Sequence, residues 1–275
     1  MGEAIINTAI AALRKDPGKR GELADEDFYG RKVEILKQVE GGFSYIKTQY
    51  GYCGYTERQN LITEEKKIRA WEEAFKKLVV VPFADILDIP SVRGGNIITL
   101  CKGALLTVLS AADSQGYVKV GLSNGETGYT KEGFLKEYKA DYSMEKEEEL
   151  RYDIIQTAYS YMGCQYRWGG KSPLGVDCSG LTFMAYQMNG ITIYRDASII
   201  EGYPVKPIQR EQKKPGDLLF FGGHVAIYLG EEKYIHSTAR NGSDGVAINS
   251  LDPQNLLYRE DLAKRLKEVG SIFYR

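Results

Sequence analysis

Apolar positions along the chain follow two different periods, and the switches between them mark its divisions. Through residues 1–59, short β-branched and aromatic runs such as EILKQV, FSYIKTQY and YCGYT alternate with Gly- and Pro-containing turns such as RKDPGKRGEL. Runs of that length between turn residues predict strands, enough for a small barrel of about five or six. Residues 60–78, NLITEEKKIRAWEEAFKKL, change to helical spacing. Ile68, Trp71, Phe75 and Leu78 recur on one stripe, which predicts a charged amphipathic connecting helix with that stripe packed inward. The β pattern returns over 79–140 and predicts a second small barrel. Beyond it, the acidic run MEKEEEL leads into a helix with Ile154, Ile155, Ala158, Tyr161 and Met162 on one face. Its acids lie near the start, where they complement the helix dipole. The expected divisions are therefore 1–59, 60–78, 79–140 and 141–275.

Two phrases match each other across the two β regions: GGFSYIKTQYGYCGYTERQNL near 41–61 and SQGYVKVGLSNGETGYTKEGFL near 114–135. Each runs turn, aromatic strand, turn, Gly-Tyr-Thr strand, then a polar exit. This reads as a domain duplication of about 55–65 residues. The phrases resemble the last strands of bacterial SH3-like (SH3b) domains, which bind cell-wall peptides or shape a neighbouring site.

Composition removes several function classes. Lys and Arg number 36 against 37 Asp and Glu, so the chain lacks the basic excess of a nucleic-acid binder. No apolar run reaches the roughly 18 residues of a membrane-spanning helix. Cys53, Cys101, Cys164 and Cys178 are too few for a disulfide scaffold of this length, and Cys53 and Cys101 read as small apolar residues within strands. The N-terminal MGEAIINTAIAALRK lacks the basic start and cleavage site of a signal peptide. The cytoplasm is the expected compartment, with an exported form after signal removal as the alternative. A monomer is expected. Only two histidines, His224 and His236, are available for any imidazole chemistry.

The chemistry gathers in 141–275. A Gly-rich loop ends in Asp177-Cys178-Ser179-Gly180, and an apolar helix follows with Gly190 at its end. A cysteine in a helix's first turn meets unpaired N–H groups and the positive dipole end, which favour thiolate and can hold an oxyanion. His224 follows a Gly-Gly turn at the head of VAIYLG, and His236 lies in YIHS on the next predicted strand. On one hairpin the two rings can lie side by side, His224 taking the thiol proton and His236 orienting it. The competing readings are a buried structural cysteine and a Cys-His-His zinc site.

The succession V-D-C-S-G-L, P-G-D-L-L-F-F, G-H-V-A-I-Y-L-G and Y-I-H-S resembles the NlpC/P60 family of papain-like cysteine peptidases over about residues 145–275. The resemblance implies an α+β papain-like catalytic domain after two small all-β SH3-like barrels. It implies Cys178 as nucleophile, His224 as base, His236 as the orienting residue and Tyr166 at the oxyanion region, with Asp217 a structural turn residue. No metal or other cofactor is implied.

Two SH3b-like domains followed by this domain resemble a narrower group, the γ-D-glutamyl-L-diamino acid endopeptidases of dipeptidyl-peptidase VI type. Through that resemblance Trp168 and Ser179 are expected to contact substrate, and Asp196 in IYRDASIIEGYPV to bind a free α-ammonium. The other reading of Asp196 is a helix N-cap. Glu22 and Tyr52 are the matches for two residues of the first SH3b domain that close off the amine end; a solvated turn carboxylate and a barrel-surface tyrosine are the alternatives. Ile199–Ile200 stand where the group carries a Gln-like residue. The implied activity is cleavage of the γ-D-Glu–diamino acid bond in free cell-wall stem peptides, in recycling. Its rival is a hydrolase of intact wall, with the SH3b domains as wall-binding modules, and a wall-binding adhesin is the non-enzymatic alternative.

Overall fold

The computed structural model describes residues 2–139 and 141–274. It divides into two compact units, Met1–Tyr138 and Lys139–Arg275. In the first unit, β1 (Gly2–Ile6), β2 (Ile10–Arg14), β3 (Leu23–Phe28), β4 (Lys32–Val39), β5 (Phe43–Thr48), β6 (Cys53–Glu57) and β7 (Leu61–Ile62) form one sheet in the order β3-β2-β6-β5-β4-β1-β7. After α1 (Glu65–Glu73) come β8 (Lys76–Val79), β9 (Phe83–Leu87), β10 (Asn96–Cys101), β11 (Leu105–Val108), β12 (Tyr117–Gly121), β13 (Thr127–Lys131) and β14 (Leu135–Glu137). Their order, β10-β9-β13-β12-β11-β8-β14, repeats the first sheet strand for strand. Equivalent strands open at Cys53 and Thr127, so the repeat is longer than the phrase comparison suggested.

Period-two alternation places Ala4, Ile6, Ala11, Leu13, Val33, Ile35 and Ile46 together as the core of the first sheet. Helix α1 and neighbouring backbone bind the two sheets to each other within this unit. The Trp71 indole N–H donates to the Gly30 carbonyl at 2.9 Å, and the Leu105 N–H donates to the Tyr29 carbonyl at 2.9 Å. Arg31 donates through Nε and Nη2 to the Gly103 carbonyl. The helix is shorter than the 60–78 span expected for it. Ile68 and Trp71 are buried, but Phe75 is 65% exposed and Leu78 lies in β8, paired with Leu105. Strand pairing on both sides of α1, Leu61 with Ile6 and Leu78 with Leu105, claims residues that share the helical stripe in sequence.

The second unit holds α2 (Glu147–Tyr159), the short pair β15 (Lys171–Ser172) and β16 (Gly175–Val176), and α3 (Cys178–Gln187). A six-stranded antiparallel sheet follows, from β17 (Lys206–Ile208), β18 (Leu218–Phe220), β19 (Val225–Gly230), β20 (Lys233–Thr238), β21 (Gly245–Ser250) and β22 (Glu268–Ser271), with α4 (Glu260–Ala263) before the last strand. The order is β17-β22-β18-β19-β20-β21. Every residue of α3 is buried, as befits a helix that is apolar on all sides. Helix α2 buries Ile154 and Ala158, with Tyr161 beyond its end. Met162 is exposed, because α2 ends at Tyr159 and the chain continues in turns, off the helical stripe. Asp217 is fully buried and accepts hydrogen bonds from Arg151 Nη1 at 2.9 Å, Ser271 Oγ at 2.6 Å and the Lys214 N–H at 2.8 Å. It joins α2, the turn before β18 and β22. Among the described residues no helix is long and apolar enough to cross a membrane.

Candidate active site

The loop before α3 is closed by one carboxylate. Asp177 caps the helix through Oδ1, which accepts the Gly180 N–H at 2.6 Å, while Oδ2 accepts the Gly169 N–H at 2.8 Å. Arg195, almost wholly buried, lies against the same carboxylate, with Nη1 3.3 Å from Oδ1, and donates to Ser179 Oγ at 2.9 Å. Gly180 has to be glycine. A Cβ there would stand 2.1 Å from the Gly170 carbonyl oxygen, because the helix start rests directly on that backbone. With the Gly180 and Leu181 N–H groups taken by Asp177, those of Cys178 and Ser179 are the donors left in the first turn.

Cys178 is 8% exposed. Its sulfur lies close to the backbone N–H of Ser179 and of Val225, the residue after His224. The site therefore brings the first turn of α3 against the head of β19. The thiol is not activated at rest as its helix-start position suggested. Burial, and then the Asp177 carboxylate, push it up to about 11, outweighing the two N–H groups and Arg195. Tyr166 is half-buried close to Cys178. Its phenol is pushed up to about 12, chiefly by burial, so it stays a hydrogen-bond donor.

His224 enters from a tight turn. Gly222 and Gly223 both take positive φ, and the Phe221 N–H donates to the His224 carbonyl at 2.8 Å. The hairpin that carries both histidines turns through Glu231 and Glu232, each at positive φ, the geometry of a two-residue type I′ loop. His224 Nε2 lies 2.7 Å from His236 Nδ1, and the rings stand perpendicular. His236 Nε2 in turn lies 2.9 Å from Asn249 Oδ1. Burial holds both imidazoles below their ordinary values; their mutual proximity adds to this for His224, as do Arg259 and Arg265. Among the described residues no group of three or more His, Cys, Asp or Glu side chains is placed to hold a metal ion.

The remaining expected residues fall in different places. Ser179 is buried, hydrogen-bonded to Asp177 and Arg195. Trp168 is 61% exposed beside the Gly169–Gly170 turn. Asp196 is exposed and lines a small cleft with Thr182, Ile193, Tyr194, Phe220 and Val225. No helix follows it, so the capping alternative fails; its carbonyl instead accepts the Ser198 N–H in a turn. Ile200 lines the same cleft where the Gln-like residue was expected. In the first unit, Glu22 is exposed before β3 and ion-paired with Lys15 at 2.8 Å, and the half-buried Tyr52 lies in the turn between β5 and β6. Cys101 is fully buried in β10 and Cys53 half-buried in β6; all four cysteines are free thiols. Arg195 and Asn249 escaped the sequence reading: a lone Arg in a coil and a lone Asn in an alternating strand carry no spacing signal.

Residues 163–263 match the NlpC/P60 family. The chain is 41% identical over 272 residues to a dipeptidyl-peptidase 6 of Lysinibacillus sphaericus, spanning 98% of this chain and 99% of that protein. It is 33% identical over 168 residues to a γ-D-glutamyl-L-lysine dipeptidyl-peptidase of Bacillus subtilis, 58% of this chain and 53% of that one. The fold is similar to the crystal structure of an NlpC/P60 family protein from Bacillus cereus, with a TM-score of 0.79 at 21% identity over 98% of both chains.

Proposed function

Because this chain belongs to the NlpC/P60 family of cysteine peptidases, we propose that Cys178 is its nucleophile, His224 the general base and His236 the residue that orients that base. The enzyme is a peptidoglycan-related peptidase, and we read its substrate as the free stem peptide L-Ala-γ-D-Glu-diamino acid, cut after D-Glu. The observation that carries the reading is the 2.7 Å contact between His224 and His236, immediately before the residue whose N–H meets the Cys178 sulfur.

On attack the S–H bond breaks as the S–C bond forms, and the proton passes to His224. The oxyanion faces the N–H groups of the α3 start and the Tyr166 phenol. Breakage of the C–N bond then takes the proton to the leaving amine. Water next attacks the thioester; its proton passes through His224 back to sulfur, and the D-Glu carboxylate leaves. Desolvation of both groups keeps the proton on sulfur at rest, so the base acts during attack.

Asp196, exposed at the mouth of the cleft, supplies the negative charge for a free L-Ala ammonium, and Trp168 and Ser179 flank the peptide. A requirement for that amine restricts cleavage to released peptides, consistent with recycling. The two repeated sheets of the first unit are read as SH3b-like, β7 carrying the first past the expected 1–59 and β8 starting the second before the expected 79–140, and 141–275 is read as the catalytic domain. The test is mass spectrometry of a peptide panel: Lys and diaminopimelate forms, each with a free or acetylated N-terminus, beside intact sacculi. Cleavage of the free forms is expected, abolished in Cys178→Ala. Acetylation removes a charged hydrogen bond of about 1.5–3 kcal/mol, a loss of about 10- to 150-fold. Faster release from sacculi, or equal cleavage of acetylated peptide, would overturn the substrate assignment.

A further inference from the structure

The nitrogen that His224 presents to the thiol is decided three groups away. Asn249 lies on β21 two positions beyond Ala247, the partner of His236 across the ladder, so its side chain shares a sheet face with that imidazole. Its amide nitrogen donates to the Leu257 carbonyl at 3.0 Å, and the same carbonyl accepts the Ser250 N–H at 2.9 Å. A main-chain carbonyl only accepts, which settles which end of the amide is NH2. Oδ1 therefore faces His236, 2.9 Å from Nε2.

From this we infer that Asn249, anchored on Leu257, is a positioning residue that sets the tautomer of both histidines and so leaves His224 Nδ1 as the base. The inference rests on the roles proposed for His224 and Cys178, but not on the identity of the peptide. Oδ1 can only accept, so His236 carries its proton on Nε2 and presents a lone pair at Nδ1. Across the 2.7 Å contact His224 Nε2 must then donate, and its Nδ1 is unprotonated. The opposite tautomer would set two lone pairs against each other either at Asn249 or between the rings. Burial keeps both rings neutral, so the relay acts on single protons. When His224 gains the thiol proton, its Nε2–H still donates to His236, and that bond strengthens with the charge. Asn249 never meets substrate in this scheme; it acts through His236.

The chain's two histidines give four imidazole nitrogens, few enough to assign individually by long-range proton–nitrogen correlation on the full-length protein. In the wild type both rings are expected as the neutral Nε2–H form. A protonated Nδ1 on either neutral ring would overturn the inference whatever the variants do. Asn249→Leu keeps the bulk and removes the acceptor. It is expected to populate Nδ1–H on His236 and to slow alkylation of Cys178 by iodoacetamide at pH 7 by about tenfold or more, the usual scale for an orienting partner. Asn249→Asp restores an acceptor toward Nε2 but turns its other oxygen against the Leu257 carbonyl, so it is expected to recover the Nε2–H form and only part of the rate. Wild-type tautomers and alkylation in Asn249→Leu would refute the assignment. Neither readout uses a peptide, so they stand even if the stem-peptide panel fails.

Discussion

Replacement of Asp177 by asparagine should move stability and thiol reactivity in opposite directions. The carboxylate accepts the Gly180 N–H at 2.6 Å through one oxygen and the Gly169 N–H at 2.8 Å through the other, with Arg195 against it. As a helix cap, Asn equals Asp, so little is lost at Gly180. The amide has only one oxygen, however, and its NH2 end then faces the Gly169 N–H. A buried donor left opposite another donor costs about 1–3 kcal/mol, and the lost charge on the Arg195 contact about 1.5–3 kcal/mol. The total, about 2.5–6 kcal/mol, is a large share of the roughly 5–15 kcal/mol available to a folded protein. Cys178 feels the opposite effect. Asp177 is the second cause, after burial, of its raised value, so a neutral amide lets the thiol fall from about 11. Well below that value each unit of fall multiplies the thiolate fraction tenfold. Urea unfolding followed by tryptophan fluorescence should show a lower midpoint, while iodoacetamide should alkylate the folded variant faster than the wild type at the same pH. A folded variant alkylated at or below the wild-type rate would refute the electrostatic reading of Asp177. An unchanged urea midpoint would refute its role as a clamp.

Two further outcomes follow from the same geometry. Gly180→Ala places a methyl group 2.1 Å from the Gly170 oxygen and 3.0 Å from Asp177 Oδ1. It should destabilise by at least about 1–3 kcal/mol and displace Cys178, read as a lower urea midpoint with slower alkylation; wild-type behaviour in both would contradict the close approach. Both histidines have folded-state values below the ordinary 6.5. Above pH 6.5 the folded and unfolded chains hold the same protons on them. Below it the unfolded chain binds protons that the folded one refuses, so stability falls with acidity, by at most about 2.7 kcal/mol per pH unit for two groups. Urea midpoints at pH 7.5, 6 and 5 check this against the His224→Gln/His236→Gln double variant, which should show a shallower decline. Equal slopes would count against buried neutral imidazoles.

The residues proposed for the chemistry were legible in the sequence because each stands at a local signal. Cys178 follows a capping Asp at the start of an apolar run, His224 follows a Gly-Gly turn, and His236 lies on the returning strand of a short hairpin. The repeated β units were legible through period-two alternation and their matched Gly-Tyr-Thr phrases. The limits of α1 were not, since Leu61 and Leu78 fit a helical stripe and a strand equally well. Only pairing with Ile6 and Leu105 chose between them. The resting protonation of Cys178 is not legible in the sequence for a related reason: a helix start favours thiolate, but the burial that outweighs it exists only once α3 has packed. Arg195 and Asn249 belong wholly to the tertiary structure. Sequence determines which groups can donate, accept or attack and on what local element each sits. The fold decides which of them meet and how much water remains, and those two quantities set pKa and tautomer.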